Sequence, residues 1–412
     1  MANKKILRDF YGEVCVAGSI KYFAEEKSEE RPHLSKDEMF SYNLTTILAR
    51  DKEVAAVGVR LYSDKCIVYI SKNSIWKSKD IEYINKIKEF IKNISKDVSK
   101  LDEVWERKDV INLFESIIEY YSAKYETRVE KLIKNVNDES NEEYILSFKK
   151  SVSIKVGNNS LNYYHLPIIC STYYEKIKNT ATQEATAKYL RFLRHLKKVR
   201  SYYTAFVNIT VFACNNDYKE IFSNMDVQKL DPIKTTQRIT SWKKIIQMFI
   251  PYKKGYEMFE KGCLDDFIIQ KRLKEIYDVS QLDKKINQNI YLHIELNILT
   301  KIVNEKYKGR MFIAVSKKYC YLCNQYIKFA QNKGYKIVTS ETHNKIYHKW
   351  MLPKPRDTTF GKDAQTYIKA NLDRIINKKV VEYIGEGEKT YSKTITDGKM
   401  IKSLHEIIKK KI

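Results

Sequence analysis

The stretch Tyr291-Leu-His-Ile-Glu-Leu-Asn-Ile-Leu-Thr300, continued by Met311-Phe-Ile-Ala-Val-Ser-Lys-Lys-Tyr-Cys-Tyr-Leu-Cys-Asn324, decides the reading of this 412-residue chain. It carries His293-x-Glu295 and Cys320-x-x-Cys323: one imidazole, two thiols, and a carboxylate two residues from the imidazole. Zinc prefers tetrahedral nitrogen and sulfur ligands, and a catalytic zinc keeps three protein ligands and leaves the fourth position to water. His293, Cys320 and Cys323 are therefore the candidate ligands of one Zn2+. Cysteines three apart at the start of a helix share a face, and the free amides there favour thiolate. Glu295 is the candidate catalytic residue, placed to take a proton from bound water and return it to a leaving group.

The surrounding pattern places these residues on elements. From Asn289 to Lys306, Ile290, Ile294, Ile298, Leu299, Ile302 and Val303 recur at helical spacing, with Gly309 as a stop. Met311–Val315 is a short apolar run suited to a buried strand, and Cys320–Asn332 returns to helical period before Gly334. H-x-E followed downstream by P-C-x-x-C is the signature of zinc deaminases. Here Tyr319 stands in the place of that proline, which shapes the start of the helix and is not a ligand. Taken alone, a C-x-x-C pair also suits a thiol redox site or half of a structural zinc knuckle.

Composition narrows the class. A hydrophobic content of 43% supports a packed core. The N-terminal residues show no apolar signal region, and the most apolar later run, Tyr203–Cys214, is too short to span a bilayer, so a soluble protein without a membrane partner is expected, cytoplasmic or delivered into another cell. Seven cysteines, only two of them close in sequence, argue against a disulfide framework. The net charge is +24, and from Lys301 onward Lys and Arg outnumber Asp and Glu by 25 to 10. Such an excess favours polyanions, nucleic acid above all, although a Lys-, Ile- and Asn-rich composition also follows from an AT-rich genome.

Working outward, residues 1–34 give a short mixed segment and a charged linker, Glu25–Arg31. Ser35 with Glu38 predicts a capping box ahead of a stripe of Phe40, Leu44, Ile47 and Leu48. Val54–Leu61 and Cys66–Ile70, joined by Tyr62–Lys65, predict a β-hairpin. A helix follows over Ile84–Leu101, then a longer one over Val110–Val136, and alternation across residues 151–166 around Gly157-Asn-Asn suggests a small hairpin. A basic helix bears Lys188, Arg191, Arg194, His195, Lys197, Lys198 and Arg200, and Tyr202 and Tyr203 could stack on bases. Beyond the C-x-x-C helix, Tyr335–Thr339 reads as a strand and Glu341–Pro353 as an aromatic, basic loop whose His343, His348 and Trp350 are candidates to line a substrate mouth. Asp363 can cap a helix bearing Ala364, Ile368, Leu372, Ile375 and Ile376; Val380–Ile384 reads as a last strand, and Met400 to the end as a basic helix.

The Leu-His-Ile-Glu-Leu, Val-Ser-Lys-Lys-Tyr-Cys-Tyr-Leu-Cys and Thr-His-Asn-Lys-Ile-Tyr-His-Lys-Trp stretches together resemble a deaminase-like family of obligate intracellular bacteria and fungi within the cytidine deaminase-like superfamily. The resemblance covers residues 291–353 well and 35–73 more weakly. It implies an α/β fold, a three-layer α/β/α sandwich with a five-stranded sheet, one catalytic Zn2+ on His293, Cys320 and Cys323, and Glu295 as proton shuttle. It also implies a substrate contact from Asn73. The helix and hairpin that open such a domain are found at residues 35–77, far from His293. The expected organisation is therefore a segment 1–34, a first deaminase part 35–77, a mainly helical insertion 78–280 and a zinc-binding part 281–412. The rival organisation hides the missing strands within residues 205–290. The expected function is hydrolytic deamination of a nucleobase, free or in RNA or DNA; the alternative is a non-catalytic nucleic-acid-binding protein with a structural zinc. Oligomeric state is not legible.

Overall fold

The computed structural model describes residues 2–21, 33–50, 52–96, 101–156, 164–179, 186–277, 279–339 and 342–392. Its centre is the expected hairpin: β1 (Ala55–Leu61) and β2 (Cys66–Lys72) are antiparallel, with Ala55 opposite Lys72 and Leu61 opposite Cys66. The Tyr62 amide donates to the Lys65 carbonyl at 2.9 Å and closes the turn. Between β2 and the next strand run α3 (Ser78–Lys96), α4 (Leu101–Val104), α5 (Lys108–Tyr120), α6 (Ser122–Asp138), α7 (Glu143–Val156), α8 (Leu166–Ile177), α9 (Ala187–Ala213) and α10 (Lys219–Ser223). Then come β3 (Met225–Leu230), β4 (Lys234–Ile239), α11 (Trp242–Phe249), α12 (Lys253–Asp265), α13 (Phe267–Ile276) and β5 (Ile286–Tyr291). The last part holds α14 (Ile294–Asn304), β6 (Met311–Val315), α15 (Tyr321–Asn332), β7 (Ile337–Thr339) and α16 (Thr358–Ser392). Two helices precede the hairpin, α1 (Ala2–Ile20) and α2 (Lys36–Leu48).

The main sheet is five-stranded and mixed, in the order β3-β2-β1-β6-β7. β1 is antiparallel to both β2 and β6, while β2–β3 and β6–β7 are parallel. Sequence-distant strands thus meet directly: Val57 of the hairpin lies opposite Ala314, a few residues before the cysteines. All five residues of β6 are buried, as a central strand covered on both faces requires. One face belongs to a core shared with α1 and α11–α16, the other to a core shared with α2–α10. β4 and β5 form a separate antiparallel pair. Among the described residues no helix is long and apolar enough to cross a membrane.

Several expectations are corrected. The fifth strand is β3, not Val380–Ile384: Ala364, Ile368, Leu372, Ile376, Val380 and Ile384 recur every fourth residue, all buried, so one helical stripe runs through the β-branched run. That helix is opened by Asp357, which accepts from the Thr359 and Phe360 amides at 3.0 Å, and not by Asp363. The hairpin expected at 151–166 is helix up to Val156, where Ile145, Phe148 and Val152 supply the inward side; its turn lies outside the described residues. The long helix over 110–136 breaks at Tyr121 into α5 and α6, and Leu101 belongs to α4 rather than to α3. Residues 289–291 are strand, so the helix read from Asn289 begins at Ile294. The Glu25–Arg31 linker and the terminal helix from Met400 also fall outside the described residues.

Residues 2–20, read as a mixed segment, form a core helix. Phe10, Tyr11, Val14, Cys15, Val16, Ala17 and Ile20 are all buried, each large apolar side chain contributing roughly 1.5–3 kcal/mol. Gly12 allows the close approach of α11: a Cβ there would lie 2.8 Å from two Ile245 side-chain carbons. The expected capping box is present on α2, with Ser35 accepting from the Glu38 amide and the Glu38 carboxylate accepting from the Ser35 amide.

Candidate metal centre

Two helix N-termini face each other. His293 is the N-cap of α14 and Cys320 the N-cap of α15, both in extended conformation, so each side chain projects from the start of its helix. The three-residue spacing brings Cys323 to the same face of α15. His293 Nδ1 lies 3.5 Å from Cys320 Sγ and 3.3 Å from Cys323 Sγ, and the two sulfurs are 3.3 Å apart. A tetrahedral zinc with ordinary bond lengths separates two sulfurs by about 3.8 Å and a nitrogen from a sulfur by about 3.5 Å. The triangle matches that size to within about half an ångström, the two sulfurs lying closer than a bound zinc would hold them. Among the described residues these three form the one group of ligand atoms close enough to share a metal ion.

Both sulfurs accept hydrogen bonds from N–H groups. Cys320 Sγ accepts from the Cys323 amide at 3.4 Å, and Cys323 Sγ accepts from the indole Nε1–H of Trp350 at 3.3 Å. Burial pushes the Cys320 thiol up, but the hydrogen bond with the Cys323 side chain and the His293 imidazole outweigh it and hold the thiol at about 5. Burial lowers His293, yet the Cys320 thiolate and Glu295 raise it to about 9. Burial, then Cys320, drives the Cys323 thiol well above its ordinary value. Without metal the cluster thus holds protons that a divalent cation would displace.

Glu295 sits in the first turn of α14, only 3% exposed, with Oε1 3.9 Å from His293 Nδ1. It stands outside the three-atom ligand group, beside it. Asn297 ties α14 to the sheet by donating to Ser71 Oγ at 3.2 Å and to the Asp231 carbonyl at 2.9 Å. His293 keeps a quarter of its side chain exposed while both cysteines are fully buried, so the cluster opens along the imidazole.

The loop after β7 fastens the starts of α14 and α15. The Tyr291 amide donates to the Lys349 carbonyl at 2.8 Å, and the Met351 amide donates to the Tyr291 carbonyl at 2.9 Å. On the cysteine side, the Tyr321 amide donates to the Lys345 carbonyl at 3.0 Å and the His343 amide to the Tyr319 carbonyl at 3.1 Å. Tyr319 is thereby fixed by hydrogen bonds where other signatures use a proline ring, and Thr339 adds a 2.7 Å bond to its hydroxyl.

The sequence-predicted substrate residues are placed as follows. Trp350 is fully buried, and its indole serves Cys323 rather than an open mouth. His348 turns toward α1, where its Cβ would lie 3.7 Å from a Cβ on Gly18; burial, then Lys349, lowers it to about 4, and its Nε2 is buried without a partner. His343 is half-buried, its Nδ1 accepting from the Lys345 amide at 3.1 Å. Asn73 is exposed at the open end of the hairpin, its carbonyl oxygen accepting from the Val54 amide at 2.8 Å. Sequence reasoning missed Tyr347, an exposed ring 6.0 Å from the His293 ring and 5.5 Å from that of His343. The signal was available: an aromatic residue within a polar, basic loop that already held the candidate mouth.

Helix N-termini carrying histidine, glutamate and a cysteine pair thus meet beside a mixed sheet. Residues 292–354 match the model of the OTT_1508-like deaminase family. No curated protein and no solved structure matches the chain.

Proposed function

We propose that this chain is a zinc-dependent hydrolytic deaminase acting on an amino-bearing nucleobase. The observation that carries this reading is the convergence of His293, Cys320 and Cys323 on one point with the buried carboxylate of Glu295 next to it. We read the sheet as that of a three-layer, cytidine deaminase-like domain whose first part is the α2–β1–β2 segment. The α3–α13 region, including β3 and β4, is read as an insertion between the two parts.

The residues divide the chemistry. His293, Cys320 and Cys323 would hold the ion, which supplies an acidified water at its free position. The Trp350 and Cys323 N–H groups stabilise the sulfur charges and fix their orientation. Glu295 accepts the proton of the attacking water and delivers it to the ring nitrogen, and then moves the second proton to the departing amine. One water is consumed, one ammonia is released, and the ring carbon exchanges an amino group for oxygen. Burial of Glu295 in a site that opens only along His293 limits bulk water around those transfers.

The test is Glu295→Gln, which preserves shape and removes the base. Zinc content should be unchanged while ammonia release from a panel of bases, nucleosides and polynucleotides falls by at least about a hundredfold. Equal turnover by both proteins would refute the assignment, and a wild-type protein inactive on the whole panel would favour a structural zinc.

A further inference from the structure

The strongest unassigned feature is a stripe of cations on α9. Arg191, Arg194, His195 and Lys198 stand at i, i+3, i+4 and i+7 and so share one side of the helix. α6 packs along that flank: Arg128 Nη1 donates to the Lys198 carbonyl at 2.7 Å and to Ser201 Oγ at 3.0 Å. Its guanidinium lies 4.7 Å from the centre of the Tyr202 ring. Lys131, one turn along α6, is thereby brought beside the stripe. Arg191, Arg194, Lys198 and Lys131 are exposed. The ion pairs of α9 lie outside this group, Lys188 with Glu142 and Arg200 with Glu175, and no carboxylate among the described residues pairs with the four.

The crowding is electrostatically unfavourable in the isolated protein. Burial and then Lys198, Arg194, Arg191 and Lys131 lower His195; burial and then Arg128, Lys131 and Arg194 lower Lys198. A lysine-rich composition does not by itself account for it, because two of the fourteen arginines of the chain, Arg191 and Arg194, stand one turn apart on this stripe. Arginine is the side chain whose planar fork suits phosphate oxygens.

We propose that the α6–α9 face binds the phosphate backbone of a single-stranded polynucleotide, and that the base presented to the metal centre belongs to that polymer. The second half rests on the deaminase reading; the first does not. A polymer is what a single ligand serving both regions would have to be. The apolar side of α9, with Phe192, Leu196 and Val199, packs in the core on one side of the sheet, whereas Cys320, Cys323 and Trp350 belong to the core on the other. A ligand that touches both regions must be extended, which a nucleoside is not. An anionic membrane is the poorer partner, because a helix that lies in a bilayer interface needs a free apolar face, and that of α9 is already buried.

The test uses the full chain and the quadruple variant Arg191→Ala, Arg194→Ala, Lys198→Ala and Lys131→Ala. Binding of a labelled single-stranded RNA of mixed sequence is followed by anisotropy across a salt series, with phosphatidylserine vesicles in parallel. Removing four phosphate contacts should flatten the log–log salt dependence by about 3 and weaken binding at least about tenfold at physiological salt. A charge-preserving variant, Arg191→Lys with Arg194→Lys, should keep the slope. If the quadruple variant unfolds, single Arg191→Gln and Arg194→Gln changes, each expected to lower the slope by about 0.7, carry the test. An unchanged slope, no RNA binding by the wild type, or loss of vesicle binding instead of RNA binding would overturn the proposal. Binding is read without turnover, so a protein that holds RNA through this face yet releases no ammonia would sink the deaminase reading alone.

Discussion

Replacing Glu13 by Gln should stabilise the protein at alkaline pH and leave it nearly unchanged at acid pH. Glu13 lies on α1 with none of its side chain exposed. Lys369 Nζ stands 3.0 Å from Oε1, yet neither carboxylate oxygen has a well-aligned hydrogen bond. Burial raises the carboxyl from 4.5 to about 7, against the pull of Lys369 and with smaller pushes from Asp373 and Asp9. The sign follows from linkage: a folded-state pKa above the unfolded one means that the native state holds the proton more tightly. Stability from this group is therefore complete below about pH 4.5 and is lost as pH rises through about 7. At 1.36 kcal/mol per unit, the loss between pH 5 and pH 8 is about 2.5 kcal/mol, an upper figure because Lys369 remains partly in solvent. Gln fills the same space without the charge, and Lys369 keeps its 2.9 Å contact with Asp373. Urea denaturation of both proteins across pH 5–8, with hydrogen exchange of the α1 amides as a local probe, should show the variant gaining on the wild type as pH rises. A difference that does not depend on pH would refute the reasoning.

Two further substitutions probe the site and the sheet. Trp350→Phe keeps the packing and removes the N–H donated to Cys323, so chelator competition should show zinc held about 10–100-fold more weakly with the fold intact; unchanged affinity would mean that the indole only packs. Lys72→Ala strips the cation from a network in which its Nζ lies 2.6 Å from Asp80 and 3.2 Å from Glu53, leaving the buried Asp80 and the partly buried Glu53 to share Arg50. A loss of about 3–5 kcal/mol is expected from denaturation curves, and Lys72→Met together with Asp80→Leu should recover part of it.

The candidate metal centre is legible in the sequence because its chemistry is local: two short motifs fix which side chains can meet once each begins a helix. The hairpin is legible for the same reason, through β-branched runs and a four-residue turn. The elements that sequence misreads are those whose pattern outruns a short window. Val380–Ile384 looks like a strand alone and becomes helix only when the spacing from Ala364 is followed to the end. Ile290 fits the helical stripe of α14, but the backbone pairing of Tyr291 with Lys349 and Met351 holds that residue extended. α1 is hard to see because Phe10 to Ala17 is interrupted by Glu13, a charge that sequence patterning assigns to the surface and the fold buries. The site residues that sequence cannot rank are those of the loop, since which of His343, Tyr347, His348 and Trp350 faces the ligands depends on hydrogen bonds between distant backbones.

The most direct test of the zinc assignment is X-ray absorption at the metal edge of the purified protein, with metal content measured on the same sample. One zinc per chain, bound by two sulfurs and one imidazole nitrogen with a further light atom completing the shell, is the expected result. Loss of that signature in Cys320→Ser should accompany it. A chain that carries no zinc, or a zinc closed by a fourth protein ligand, would contradict a catalytic centre at His293, Cys320 and Cys323.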